Sequence, residues 1–169
     1  MDSTLLRQVQ EPLKDKYRVS PEAALVTLKA TSRIGEGITC KIETGKMLAE
    51  AGLHPATGGD GLTVCSGDML LEALAACAGV TLKAVATAIE FNLQDAYVKV
   101  EGDLDFRGTL SVDRNAPVGF KNIRLQFQLH TNESPEKIDT LIKLTERYCV
   151  VYQTLVKGNM IDVSISEHK

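Results

Sequence analysis

The stretch that decides the fold is residues 65–91, CSGDMLLEALAACAGVTLKAVATAIEF. Its apolar residues cover nearly the whole circumference of a helix, which is typical of a helix in the middle of a fold. Ser66 or Asp68 can cap its start. The stretch is long enough to span a bilayer, but Glu72 and Lys83 interrupt it, and each charge costs about 2.5–3.5 kcal/mol at a membrane centre. We therefore predict a buried helix of a soluble protein.

The segments before this helix predict strands and an arm. Residues 24–30 and 38–43 alternate apolar and polar side chains, as half-buried strands do, and we expect them to form a hairpin through a turn at 32–37. The glycine-rich residues 51–61 predict a loop. Further upstream, residues 5–17 have helical spacing that Pro12 must kink or end, so they predict an N-terminal arm.

The segments after the helix complete a mixed fold. Residues 97–106 and 122–130 alternate like half-buried antiparallel strands. Ser134 can cap a helical segment whose spacing continues until Gly158 stops it, and residues 160–166 predict a final strand. Antiparallel pairs interrupted by helices indicate an α+β fold, with sheet wrapped over central helices.

Composition and charge exclude several classes of protein. The chain has 169 residues, 44% of them apolar and 24% charged, with a formal net charge of -3, so we expect one globular domain. Lys and Arg are scattered singly, which gives no footprint for nucleic acid or anionic lipid. No secretory signal is visible at the start, so we expect a cytoplasmic protein whose four cysteines stay reduced.

Cys65 and Cys77 lie near or on the long helix and are candidates for reactivity. Cys40 alternates with apolar strand residues and fits a small buried side chain. Cys65 lies just ahead of the long helix, where the helix dipole favours a thiolate. Cys77 lies in the helix interior and by itself fits a core thiol. Twelve residues of mostly helical chain separate Cys65 from Cys77, which is too far for a disulfide between them.

The fourth cysteine and a loop histidine complete the set of candidates. Cys149 follows Glu146 and Arg147, and an adjacent arginine can lower a thiol pKa. Pairing Cys149 with Cys77 would join the two core helical segments. His54 lies in the glycine-rich loop, but it lacks the ligand spacing of a structural zinc site. We expect no metal and no cofactor.

Two motifs carry a family resemblance. The sequence CSGDMLLEALAAC at 65–77, followed by TERYC at 145–149, resembles the OsmC/Ohr superfamily of osmotically inducible and organic hydroperoxide resistance proteins. The resemblance extends over about residues 25–166. It divides the chain into an N-terminal arm, residues 1–23, and an OsmC-like domain, residues 24–169.

The resemblance implies a fold, an assembly and an activity. It implies an intertwined homodimer with antiparallel sheets wrapped around the long central helices. It also implies thiol-dependent reduction of organic hydroperoxides or hydrogen peroxide in stress defence, with no cofactor. Cys77 matches the peroxide-attacking cysteine and Cys149 the resolving one, and a dithiol reductant resets the pair.

The resemblance also implies activating residues, and here the sequence departs from the pattern. The better-characterised members supply an arginine from the first hairpin and a carboxylate near the start of the long helix. Arg33 lies in the first hairpin, within a residue or two of the position of the family's arginine. Asp68 occupies the carboxylate position in place of the usual glutamate, where it could also simply cap the helix.

Two other interpretations stay open at this point. The apolar surroundings of Cys77 are also typical of a non-catalytic protein that binds a hydrophobic small molecule, here in the apolar pocket at the subunit interface. Alternatively, Cys65 beside His54 is a second reactive thiol, or it replaces Cys149 as the redox partner.

Overall fold

The structure is a computed structural model that describes residues 2–5, 7–8, 10–11, 19–20, 31–34, 39–43, 48–111 and 113–166. It has the mixed helix and sheet architecture that the sequence predicts. The elements in chain order are β1 (Thr31–Ile34), β2 (Thr39–Glu43), β3 (Leu48–Gly52), a 3₁₀ turn (Pro55–Thr57), β4 (Val64–Cys65), α1 (Ser66–Ala88), β5 (Asp95–Asp103), α2 (Phe106–Thr109), β6 (Asn122–His130), α3 (Pro135–Tyr148) and α4 (Val150–Lys157).

The long helix α1 is the centre of the fold. It contacts β5, α3 and α4, and its buried side chains are Leu74, Ala78, Leu82, Val85 and Ala86. Cys65 occupies the N-cap position without a side-chain cap bond, so the prediction of a cap at Ser66 or Asp68 is wrong. The helix ends at Ala88, and the Phe91 N–H donates to the Ala86 carbonyl at 2.8 Å.

One face of α1 has no partner within the described chain. Ala73, Ala76 and Val80 are exposed, the last to 72%. The helix is long and apolar enough to cross a membrane by length and composition, with 28% of its most apolar window buried. Its contacts with sheet and helices make it a core helix on one side, whereas the sequence predicted burial nearly all round.

A two-stranded antiparallel sheet covers the buried face of α1. β5 and β6 pair from Asp95 opposite His130 to Asp103 opposite Asn122, and burial alternates residue by residue in both strands. This confirms the strand at 122–130. The predicted strand at 97–106 ends earlier, at Asp103, because the Asp105 carboxylate accepts from the Arg107 N–H and begins α2.

The remaining strands form a separate sheet in the order β1-β2-β3-β4. β1 pairs antiparallel with β2. Residues 32–34 therefore belong to a strand, and the predicted turn at 32–37 begins too early. The predicted strand at 24–30 lies outside the described residues. β3 was not predicted, and it takes the first two residues of the predicted loop at 51–61.

The predicted helical segment after β6 is two helices. The Ser134 hydroxyl accepts from the Lys137 N–H, which confirms the predicted cap. The prediction of a continuous segment is wrong because Cys149 has φ -73° and ψ 107°, which ends α3 and begins α4. The β-branched pair Val150 and Val151 follows the break, and such residues have a lowered helix propensity.

The predicted final strand is absent from the structure. Residues 160–166 form neither helix nor strand, and Met160, Ile161, Val163 and Ile165 are each at least 84% exposed. The alternating apolar pattern is present, but a strand also needs a neighbouring sheet edge to supply its hydrogen bonds. Within this chain the described segment has no such neighbour.

Candidate active site

The structure brings Cys77 and Cys149 together in one apolar cluster. Cys77 lies in the fourth turn of α1, and Cys149 lies at the break between α3 and α4. Their thiols are in hydrogen-bond contact, with Cys149 1% exposed and Cys77 partly exposed. Surrounding side chains from both helices and the β5–β6 sheet include Leu74, Ala78, Val100, Ile123, Leu125, Tyr152 and Leu155.

The break at Cys149 supplies hydrogen-bond donors to the Cys77 sulfur. A helix leaves its first N–H groups without partners in its own backbone. In α4 these include the N–H groups of Val150 and Val151, and both donate to the Cys77 sulfur. The Thr81 hydroxyl, one turn further along α1, is a third donor. Donors that converge on one sulfur favour its anionic form.

These contacts favour the thiolate form of Cys77. Burial by itself would raise the pKa of Cys77, since it disfavours the charged form. The hydrogen bond from the Val151 N–H, with those from Cys149, Thr81 and Val150, outweighs burial and holds the pKa of Cys77 below that of an ordinary cysteine. Cys77 is therefore the more nucleophilic thiol of the pair.

Cys149 has the opposite character. Burial raises the pKa of the Cys149 thiol, and the adjacent Cys77 sulfur raises it further, although the Tyr152 and Val151 N–H groups act against both. Cys149 therefore ionises less readily than Cys77, and its S–H donates to the Cys77 sulfur. One thiolate beside one thiol is the arrangement needed to form a disulfide in two steps.

Glu146 and Arg147 do not act on Cys149 as the sequence suggested. The Arg147 guanidinium lies 5.5 Å from the centre of the Tyr148 ring, and the side chain is exposed. The pKa of Cys149 is raised rather than lowered, so the expected effect of the adjacent arginine is wrong. The backbone carbonyl of Glu146 accepts a hydrogen bond from the Gln153 side-chain amide at 2.8 Å.

Asp68, one of the two predicted activating residues, lies apart from Cys77 within the chain. Asp68 is exposed in the first turn of α1, nine residues or about 13 Å along the helix axis from Cys77. Arg33 lies in β1, opposite Lys41 in the register. The sheet that contains Arg33 contacts α1 through β4. The donors described above lower the pKa of Cys77 without a contribution from Asp68.

Cys65 and His54 lie at a different place, around a cavity of about 350 Å³ at the start of α1. The His54 ring stacks on Phe106 with centroids 4.9 Å apart, and its Nδ1 accepts from the Ala56 N–H at 3.0 Å. Across the described part of the chain, no three His, Cys, Asp or Glu side chains are placed to hold a metal ion. Cys65 does not reach Cys77 or Cys149.

Four residues that contribute to the site were not predicted from the sequence. Thr81 could have been found, because residues four apart on a helix are neighbours and Cys77 was already a candidate. The N–H groups of Val150 and Val151 could not, because backbone donors become available only where a helix breaks. Gln153 could not be found either, because the carbonyl that its side chain binds becomes available only where the helix breaks.

Comparison with protein-family models gives a match over most of the chain. The family model described as OsmC-like protein matches residues 58–165, which include both cysteines of the pair. A comparison with curated protein sequences finds no match.

Solved structures share the fold at low sequence identity. The OsmC-like protein from Mycoplasma pneumoniae is 19% identical with a TM-score of 0.66, over 79% of this chain and 89% of that one. An organic hydroperoxide resistance protein OsmC from Legionella pneumophila is 20% identical with a TM-score of 0.62, over 80% and 93%.

A third solved structure extends the agreement. It is an organic hydroperoxide resistance protein from Elizabethkingia anophelis, 17% identical with a TM-score of 0.61, over 80% of this chain and 91% of that one. At these identities the solved structures show the fold alone. Together with a family match over more than half of the chain, they show that this protein belongs to the OsmC-like protein family.

Proposed function

We propose that the protein is a thiol-dependent peroxidase that reduces organic hydroperoxides, and hydrogen peroxide as a second substrate. Cys77 is the attacking cysteine and Cys149 the resolving one. The observation that carries the proposal is the contact between two thiols with opposite pKa shifts, the more nucleophilic of which is also the more exposed.

The reaction proceeds in two steps that balance in atoms and electrons. The Cys77 thiolate attacks one oxygen of the O–O bond, becomes a sulfenic acid, and releases an alkoxide that takes up a proton to form an alcohol. The Cys149 thiol then attacks the Cys77 sulfur, which forms a disulfide and releases water. A dithiol reductant returns the pair to two thiols by exchange and is itself oxidised to a disulfide.

The environment of the site supports this order of events. Peroxide reaches Cys77 first because Cys149 is buried. The apolar side chains around the pair favour the alkyl group of an organic hydroperoxide over water. The two sulfurs are already in contact, so the second step needs little rearrangement of the backbone.

The test is a titration of reduced protein with stoichiometric organic hydroperoxide and, separately, with hydrogen peroxide, followed by non-reducing peptide mass mapping. We expect a rapid Cys77–Cys149 disulfide, faster with the organic peroxide. Cys77→Ser should abolish turnover, and Cys149→Ser should leave a trappable sulfenic acid on Cys77. Turnover that survives Cys77→Ser would refute the assignment.

A matched control comes from the third free thiol. Cys65→Ser makes the same chemical change at a cysteine outside the pair, and it should leave the reaction unchanged. A loss of disulfide formation in Cys65→Ser would instead favour Cys65 as the redox partner.

We also propose that the protein is a cytoplasmic homodimer. The exposed apolar face of α1 and the exposed apolar residues at 160–165 support self-association, since monomeric proteins rarely leave large contiguous patches uncovered. In such a dimer the β1–β4 sheet of one copy could cover α1 of the other and bring Arg33 or Asp68 to a site. Light scattering that finds only a monomer would exclude this arrangement.

A second candidate function is the binding of a hydrophobic small molecule without catalysis. It is favoured by the cavity at the start of α1, whose walls include Leu104, Phe106, Val118 and Phe120. Oxidation of Cys77 and Cys149 at the rate of a free thiol, together with saturable binding of long-chain probes, would make it the better interpretation.

A further inference from the structure

The break between α3 and α4 is held by a side chain that the proposed reaction does not itself use. Gln153 lies in the first turn of α4 and is partly buried. Its backbone N–H donates to the Cys149 carbonyl at 2.9 Å, which closes that turn. Its side-chain Nε2 reaches back and donates to the Glu146 carbonyl at 2.8 Å. From its place in α4, Gln153 thus bonds both to the break residue and to α3.

The Glu146 carbonyl is the acceptor that the Val150 N–H would use if the helix continued. In an α-helix each N–H bonds to the carbonyl four residues earlier. The Cys149 N–H still follows this rule, since it donates to the Thr145 carbonyl at 2.9 Å. Beyond Cys149 the pattern changes, because Gln153 occupies the Glu146 carbonyl and Val150 donates to the Cys77 sulfur.

We propose that Gln153 is a positioning residue, whose side-chain amide takes the place of the Val150 N–H at the Glu146 carbonyl and so keeps the Val150 and Val151 N–H groups facing the Cys77 sulfur. The role of this site in peroxide reduction rests on the proposed function, but the positioning itself does not. Without the amide, the Glu146 carbonyl would lack its partner, and α3 would gain by extending through Val150 at the expense of the sulfur.

The test measures the reactivity of Cys77 in the absence of peroxide. Reduced full-length protein is alkylated with iodoacetamide between pH 5 and pH 10, and peptide mass mapping follows the Cys77 peptide alone. Gln153→Met keeps the length of the side chain and removes the donor. Gln128→Met makes the same change at an exposed glutamine on β6 and is the matched control.

In Gln153→Met we expect the alkylation profile of Cys77 to move up by about one pH unit, which is about a tenfold loss of rate at neutral pH. The Gln128→Met profile should coincide with that of the wild type. Gln153→Ala, which favours the helix, should reproduce the shift if Gln153→Met does not fold. A variant that melts at a lower temperature but keeps the wild-type profile would show a merely structural role and overturn the proposal.

A measurement on the unmodified protein provides an independent test. One Nε2 proton of Gln153 should exchange with solvent more slowly than those of Gln128, because it is bonded to the Glu146 carbonyl. Equally fast exchange at both glutamines would overturn the proposal. A protein that shows the Gln153 effect but no reaction with peroxide would refute the peroxidase and leave the positioning role intact.

Discussion

The Thr81 hydroxyl is the donor to Cys77 that a single conservative change can remove. Thr81→Val keeps the β-branched shape and loses only the hydrogen bond to the sulfur. A hydrogen bond to a charged group contributes about 1.5–3 kcal/mol. Because Cys77 is partly exposed, water can replace part of the lost hydrogen bond. We therefore expect Thr81→Val to cost the thiolate about 0.7–1.4 kcal/mol of stabilisation.

This loss corresponds to a rise in the Cys77 pKa of about 0.5–1 unit, at 1.36 kcal/mol per unit. The sign follows from the ionisation: a hydrogen bond to the thiolate lowers the pKa, so its removal raises it. At a pH below the pKa, the thiolate fraction and hence the alkylation rate should fall about three- to tenfold. At a pH well above both pKa values the two proteins should react alike.

The assay is the pH profile of Cys77 alkylation, read by peptide mapping. Thr87→Val is the control, because Thr87 lies on the same helix and its hydroxyl donates to the Lys83 carbonyl at 2.8 Å. If Thr81→Val and Thr87→Val both coincide with the wild type, the Thr81 hydroxyl does not stabilise the thiolate. If both shift equally, the effect belongs to the helix rather than to the hydrogen bond.

Three further predictions concern the core, the carboxylate at the start of α2 and assembly. Leu82 is 1% exposed in the main core cluster, so Leu82→Ala should lower the free energy of unfolding by about 2–5 kcal/mol in urea titrations. Hydrogen bonds from Arg107 hold the pKa of Asp105 at about 2, below its unfolded value of about 3.9. Asp105→Asn should therefore lower the melting temperature at pH 7, and the difference should vanish as the pH falls through 2. Ile165→Asp should weaken self-association in light scattering, whereas Leu62→Asp, at another exposed apolar residue, should not.

The parts of the fold that the sequence predicted correctly are those governed by local chemistry. The alternation of Ile123, Leu125, Phe127 and Leu129 depends only on the two-residue period of a strand, and it matches the burial of β6 residue by residue. The start of α3 depends on Ser134 and on the proline after it, both within one turn. Such signals need no knowledge of the rest of the chain.

The parts that the sequence predicted wrongly depend on partners far along the chain. Residues 160–166 have a strand pattern, but a strand requires an adjacent edge, and no local feature says where that edge is. The continuous helix through Cys149 was wrong for a related reason. Helical spacing of apolar residues survives a one-residue break, so periodicity cannot detect it, whereas the backbone donors that the break exposes decide the chemistry of Cys77.

The chemistry of the cysteines depends on which helix terminus faces each sulfur. Cys65 directly precedes α1, and the sequence therefore predicted that the start of this helix would stabilise its thiolate. In the structure the Cys65 side chain makes no cap bond. Cys77 lies in a helix interior, and the free N–H groups that reach it belong to α4, more than seventy residues later. Partial charges at a helix start act within about one turn and along the direction of the N–H groups. A thiol in the middle of one helix can therefore be activated by the start of another, provided that a break such as that at Cys149 aims the donors at it.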